Sequence, residues 1–392
     1  MSPARQFDVI VVGLGAHGSA AAFHLARRGF RVLGLDQFPV PHDRGSSHGQ
    51  TRIIRIAYYE DAAYVPLAVR ALELWQELEG RAGERLFVPT GSIDASRPSD
   101  RVFQGSWESC RVHGLPHEVL TGTELSRRYP AYHLPNTYLA LFQPAGGYLL
   151  PEGCIAAHLR LAAAHGAELR THQRVIDWVS SGDRVTVRTA DYRFSAGRLV
   201  LAAGSWNGKL LPALAPYLKP ERQVVTWFAT RLPALFGPEL FPVFNVAVEE
   251  GRFYGFPSSD GVSFKVGKYH HLAESADPDN VDWTIHERDV ATLRGFAQRY
   301  FPDVAESVQA SSVCLFTNTP DEHFMIGPLA GEPRIILLSP CSGHGFKFAS
   351  AIGEIVADLV SHGESNFDLS LFRTDRFAGS PGRDIPEQTG VE

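Results

Sequence analysis

The first regular pattern in the chain is an apolar run with no polar interruption. Residues 8–12, DVIVV, are β-branched after the aspartate, as in a parallel strand buried on both faces. An alanine-rich stretch at 19–28, stopped by Gly29, predicts a helix, and the apolar run 31–35 predicts a second strand. Strand-type runs return at 198–206, RLVLAAGSW, and in RIILLSPCSGHGFKFASAIGEIVADLVSHG. In the latter, Ile352, Ile355, Val356, Leu359 and Val360 give a following helix one apolar face. Between these runs the period changes. Residues 222–270 alternate as antiparallel strands do, with a hairpin around 258–261, and amphipathic helices are predicted at 65–78 and 154–165.

An alternating block has no place in a doubly wound sheet, so the pattern predicts two domains. The fold class is α/β: a Rossmann-like domain, discontinuous over 1–89, 147–221 and 319–392, with an inserted domain from 90–146 and 222–318 built on a mainly antiparallel sheet. No internal repeat is visible, and the tail from residue 379, GSPGRDIPEQTGVE, is expected to be disordered.

The loop after the first strand carries chemistry. Gly13, Gly15 and Gly18 form G-x-G-x-x-G between the predicted strand and helix, and Asp36 ends the second strand. Gly13 permits the tight turn, Gly15 lets backbone approach a pyrophosphate, and Gly18 lets helix and strand pack closely. The helix N-terminus offers unpaired amides to that pyrophosphate, and Asp36 is placed to accept hydrogen bonds from an adenosine ribose. Such a fingerprint binds a dinucleotide without distinguishing FAD from NAD.

Composition narrows the partners. The 392 residues are 44% hydrophobic and 20% charged with a formal net charge of −6, which gives no reason to expect nucleic acid or an anionic membrane. No apolar stretch approaches the ~18–20 residues of a membrane span, and the start, MSPARQ, has no signal-peptide pattern. Cys110, Cys154, Cys314 and Cys341 are scattered without a metal or disulfide spacing, so free thiols and a cytoplasmic location are expected. No metal is expected. Cys110 and Cys154 read as helix-face residues.

Three further stretches, GSSHGQTRIIRIAYYEDAAYVPLAVRALELW (45–75), CLFTNTPDEHF (314–324) and SGHGFKFASAIGEI (342–355), resemble the monomeric sarcosine oxidase family, which includes N-methyltryptophan and L-pipecolate oxidases. The similarity runs in order from Asp8 to about Arg376. It implies a monomeric FAD enzyme that oxidises secondary amino acids, sarcosine first, to an imine, with O2 as the acceptor and hydrogen peroxide released. Other N-methyl amino acids, pipecolate or proline are the alternative substrates. A dehydrogenase of the same fold that passes electrons to a carrier is the alternative activity.

The resemblance also implies roles. Cys314 matches the cysteine bound to the flavin 8α-carbon, with Cys341 as the rival anchor. Arg55 and Lys347 match the clamp on the substrate carboxylate; buried together they require an anion, whereas Arg55 could instead pair with Glu60 or Asp61 on the surface. Arg52 and His48 match residues beside the flavin ring, and Ser46 and Gly204 match cofactor contacts. Gly343, His344 and Gly345 match a loop approaching the flavin, although His344 read alone could be a satisfied loop histidine.

Lys265 matches a lysine that activates dioxygen. Read alone, it lies on the strand face opposite Val262, Phe264 and Val266 and would ordinarily be solvated. Tyr254 matches a substrate-pocket tyrosine. The sequence departs from the sarcosine oxidase pattern at Phe316 (tyrosine there), Tyr269 (histidine) and Tyr59 (glycine), which shifts the expected substrate rather than the flavin chemistry.

Overall fold

The computed structural model describes residues 6–378, and the tail expected to be disordered lies outside them. The elements that position the site are, in chain order, β1 (Phe7–Val12), α1 (Ala16–Arg27), β2 (Val32–Leu35), β3 (Arg193–Leu201), β4 (Lys219–Thr230), β5 (Gly251–Phe256), β6 (Ser263–Lys268), β7 (Val304–Asn318), β8 (Glu332–Ser339) and α2 (Ala349–His362).

β1 lies between β2 and β3, and the far half of β3 pairs with β8, all in parallel. The near half of β3 pairs antiparallel with Arg184–Arg188. The apolar runs read from the sequence thus become the interior of one sheet: Val9, Ile10 and Val11 are fully buried, as are Leu199, Val200 and Leu201. Strands buried on both faces carry apolar residues at every position, which is why they show no alternation. Helices α1 and α2 cross on one face at very close range; a Cβ at Gly353 would stand 2.7 Å from the backbone of Ala20.

The second sheet holds β4, β5, β6 and β7, with Val243–Val248 and Ser92–Ser96 continuing it. All its pairings are antiparallel except that of Ser92–Ser96 with Val243–Val248. The alternation at 222–270 becomes β4 and the 251–268 hairpin, and each strand turns one face to an aromatic core of Phe228, Phe241, Phe244, Phe264 and Phe301. Each such ring, fully buried, contributes on the order of 1.5–3 kcal/mol. Val262 departs from expectation: it precedes β6 and is exposed, so only Phe264 and Val266 take the apolar face.

β7 runs beside β4 for almost its whole length, from Lys219 opposite Asn318 to Thr230 opposite Val304. Near the end of that long strand, Cys314 opposite Gln223 and Phe316 opposite Glu221 stay in the second sheet and line the cavity. Among the described residues no helix is long and apolar enough to cross a membrane.

Candidate active site

The site is a cavity between the two sheets. At one end it begins at the turn after β1. Gly13 has φ +87°, and a Cβ there would lie 2.5 Å from the carbonyl oxygen of Ala202. Gly18 is under the turn rather than in the cavity wall; its Cβ would meet the Gly13 oxygen at 1.7 Å, so helix and turn fit only without a side chain. Gly15 differs from both. A Cβ there would find only Ser47 Oγ at 3.6 Å, and the missing side chain leaves the wall open toward the cavity. Asp36 sits at the rim and accepts hydrogen bonds from the amides of Leu14 (2.7 Å) and Phe38 (2.9 Å), bracing the glycine turn. Gly204, with φ +54°, closes this end after β3.

The middle of the cavity is bounded by the 45–55 segment. Arg52 donates to the carbonyls of Thr51 (2.9 Å) and Ser46 (2.8 Å), which aims its guanidinium along the wall. Ser46 Oγ reaches the Leu315 carbonyl at 2.5 Å and ties this segment to β7. His48 stands behind the wall. Burial first, and then Arg52, push its pKa down to about 4, so it is neutral and adds no cation beside Arg52. His48 Nε2 is buried without a partner.

Lys265 is the main departure from a solvated strand lysine. In β6 it stands opposite Trp227 of β4 and Phe256 of β5, and directly opposed residues share a face. Its Nζ is therefore roofed by both rings, at 4.9 and 4.5 Å, and donates to Gly49 O (2.5 Å), Thr51 O (3.1 Å) and Thr51 Oγ1 (3.0 Å). Burial, with Arg52 nearby, holds its pKa well below that of a free lysine.

At the far end two more cations meet. Arg55 does pair with Glu60, both carboxylate oxygens at 2.6 Å from Nη2, but the pair is buried and not on the surface. Burial opposes the charge on Arg55 and Glu60 more than restores it, so its pKa stands well above the usual value. Burial likewise works against the Glu60 carboxylate, yet Arg55 brings it down to about 2. Arg55 and Lys347 therefore have their anion within the protein. Lys347 donates to the His344 carbonyl (2.8 Å) and toward Tyr58 Oη (3.4 Å), and burial followed by the Arg55 charge lowers it to about 7. His344 is fully satisfied. Its Nε2 faces the Glu322 carbonyl at 3.0 Å and so carries the proton, leaving Nδ1 to accept from Tyr58 Oη at 2.7 Å.

Aromatic rings form the remaining wall. Tyr254 occupies the space opposite Gly267, where a Cβ would lie 2.5 Å from its ring, and Phe316 does the same over Gly343. Tyr269 packs 5.3 Å from Tyr254 and 5.9 Å from Phe316. Gly345 admits no side chain against the Pro340 carbonyl. Cys314 and Cys341 both reach the cavity, whereas Cys110 and Cys154 are buried on helices away from it. Burial raises both cavity thiols, Cys341 to about 11; only for Cys314 do Arg52 and Lys265 oppose the rise.

Sequence reading passed over Asn245, whose amide donates to Asp94 (3.1 Å) while its buried Oδ1 has no partner at the cavity wall. It also passed over Trp227 and Phe256. None lies in a recognisable motif; only the strand register brings them to the site.

Residues 8–359 match the family described as FAD dependent oxidoreductase. The chain belongs to that family. Within it, this FAD-dependent oxidoreductase is similar to monomeric sarcosine oxidase of Bacillus sp. (strain NS-129), 40% identical over 95% of this chain and 97% of that one. It is 34% identical to N-methyl-L-tryptophan oxidase of Yersinia pestis (strain Pestoides F), over 95% and 99% of the two chains. The solved structure of NikD, described as an unusual amino acid oxidase essential for nikkomycin biosynthesis, superposes with a TM-score of 0.82 at 27% identity, covering 94% and 97%. The cofactor of the family is FAD, and the residues present fit it. The Gly15 wall is open where a phosphate backbone would pass, and Arg52 faces the middle of the cavity.

Proposed function

We propose that this FAD-dependent oxidoreductase oxidises small secondary amino acids, with sarcosine converted to glycine and formaldehyde and O2 reduced to hydrogen peroxide. The observation that carries the reading is one cavity with a glycine-built dinucleotide end and, at the other end, the buried pair Arg55 and Lys347. The similarity to sarcosine oxidases supports the same class. FAD, when bound, would supply the acceptor for a hydride from the carbon beside the amine nitrogen and the route of its electrons to O2.

The chain's own residues orient and tune. Gly13, Gly15 and Gly18 would cradle the pyrophosphate, Asp36 the ribose, and Ser46, Gly204 and the 343–345 loop the rest of the cofactor. Arg55 and Lys347 would hold the substrate carboxylate, Arg55 through the N–H groups that its bonds to Glu60 and the Ala57 carbonyl leave free. Tyr254, Tyr269 and Phe316 would exclude water from the amine, which must lose its proton before oxidation. Arg52 would stabilise negative charge on the reduced ring. Lys265, roofed by Trp227 and Phe256, would place positive charge where oxygen takes up electrons.

Cys314 is the anchor of a thioether to the flavin 8α-carbon in this reading, because the two cations near it favour the reactive thiolate and none acts on Cys341. The division into a FAD-binding part (1–89, 147–221, 319–392) and a substrate part (90–146, 222–318) follows the same logic, and we take the enzyme to work as a cytoplasmic monomer.

Anaerobic addition of sarcosine to the purified yellow protein tests the activity. Bleaching is expected, with colour returning and peroxide appearing on admission of air. A protein that bleaches with no secondary amino acid would sink the reading, and one that bleaches but is reoxidised only by an added carrier would be a dehydrogenase. Cys314→Ser should release the flavin on acid precipitation; colour that stays with the pellet would point to Cys341.

A further inference from the structure

Arg252 is a half-buried cation beside the cavity that the reaction above does not use. It lies in β5, two residues before Tyr254, so the two side chains share a strand face. Its guanidinium carbon stands 3.7 Å over the Tyr269 ring and 5.3 Å from the Tyr59 ring. The Tyr59 ring is approached in turn by Arg55 at 4.6 Å, so one aromatic ring separates the two arginines.

No hydrogen bond or ion pair is made by the Arg252 side chain among the described residues, and its Nε is fully enclosed without an acceptor. The Tyr59 hydroxyl beside it is also buried and unpartnered. The two nearest carboxylates are already committed, Glu60 to Arg55 and Glu322 to His270 at 2.8 Å. A guanidinium has five N–H donors; the two tyrosine faces accept from none of them, and the enclosed Nε–H is left without an acceptor. Tyr269, on which Arg252 stacks, lines the cavity, and a carboxylate reaching past that ring would accept from the fork, with Tyr59 Oη as a further donor.

We infer that Arg252, with Tyr59 and Tyr269, is a second anion subsite that receives a carboxylate at the end of the substrate's side chain, so that the secondary amino acids accepted extend from sarcosine to N-alkylated acidic ones. The α-carboxylate goes to Arg55 and Lys347, the methylenes run along Tyr254 and Tyr269, and the distal carboxylate reaches Arg252. The substrate statement rests on the oxidase reading above. The two-anion site does not, and it is tested without turnover.

The test is a titration of the flavin-loaded protein with glutarate and adipate against pentanoate, followed by the flavin absorbance, and repeated with Arg252→Met and Arg252→Lys. At least one dicarboxylate should bind about tenfold or more tighter than pentanoate, a preference lost in Arg252→Met and partly kept in Arg252→Lys. Equal affinities in the unmodified protein, or a preference that survives Arg252→Met, would overturn the subsite; the first comparison needs no variant to fold. Turnover then separates the two readings. The kcat/KM for N-methyl-L-glutamate should exceed that for N-methyl-L-glutamine about tenfold, and the ratio should fall to near one in Arg252→Met. A dicarboxylate preference without flavin reduction by any secondary amine would leave the subsite standing and remove the oxidase reading.

Discussion

The two ends of the cavity are built by different means. The dinucleotide end is mostly backbone: three glycines, a strand, a helix start and one aspartate within 7–36, closed by Gly204. The amino-acid end is side chains: cations and rings delivered by segments near residues 55, 254, 269, 316 and 347, which meet only through sheet register. A backbone site tolerates no added atoms, whereas a side-chain site can be retuned one residue at a time. Specificity within such a family therefore changes at the second end while the first stays fixed.

The largest expected effect breaks the backbone end. Gly18→Ala puts a carbon 1.7 Å from the Gly13 oxygen, and helix and turn must separate to admit it. The prediction is a loss of more than ~90% of bound flavin per protein, read from the visible absorbance, or failure to fold; a fully loaded variant would show that the turn can relax.

Lys265→Met addresses the interior between the ends. It removes the charge and all three hydrogen bonds while keeping the length under Trp227 and Phe256. Reoxidation of reduced flavin by O2 should slow by about 10²–10³-fold, the typical cost of a lost preorganised charge, with the reductive step altered far less. Stopped-flow traces of the two half-reactions separate these, and an equal loss in both would assign Lys265 a structural role.

The smallest effect sharpens the second end. Lys347 titrates near 7, with Arg55 beside it charged throughout, Glu60 ionised and His344 neutral. The ammonium is present below that pH and lost above it, so a carboxylate ligand should bind more tightly on the acid side. Its dissociation constant should rise by severalfold to about tenfold between pH 6 and 8.5. Lys347→Arg keeps its charge throughout and should flatten the profile; a profile that stays curved would assign the titration elsewhere.

The same contrast governs what could be read from the sequence. The glycine turn, its flanking strand and helix, and Asp36 are local, so spacing alone located them. The alternation at 222–270 likewise announced an antiparallel sheet. The surroundings of Lys265 were not legible, because Trp227 and Phe256 reach it through cross-strand pairing. Glu60 was visible as a neighbour of Arg55, but nothing local distinguishes a buried pair from an exposed one. Arg252 gave no signal at all: an arginine alternating with phenylalanine and tyrosine in a strand reads as its solvent face.

The order of strands in the first sheet bears on how the protein comes into being. β1 needs β3 at its side, and β3 needs β8, so the first thirty residues to leave the ribosome must wait for residues 332–339 before their sheet is whole. Pairings this distant in sequence form slowly, and until they do the glycine turn has no Ala202 to lean on. Flavin capture is accordingly an act of the finished polypeptide, and a truncated or stalled chain carries the complete fingerprint without the means to use it.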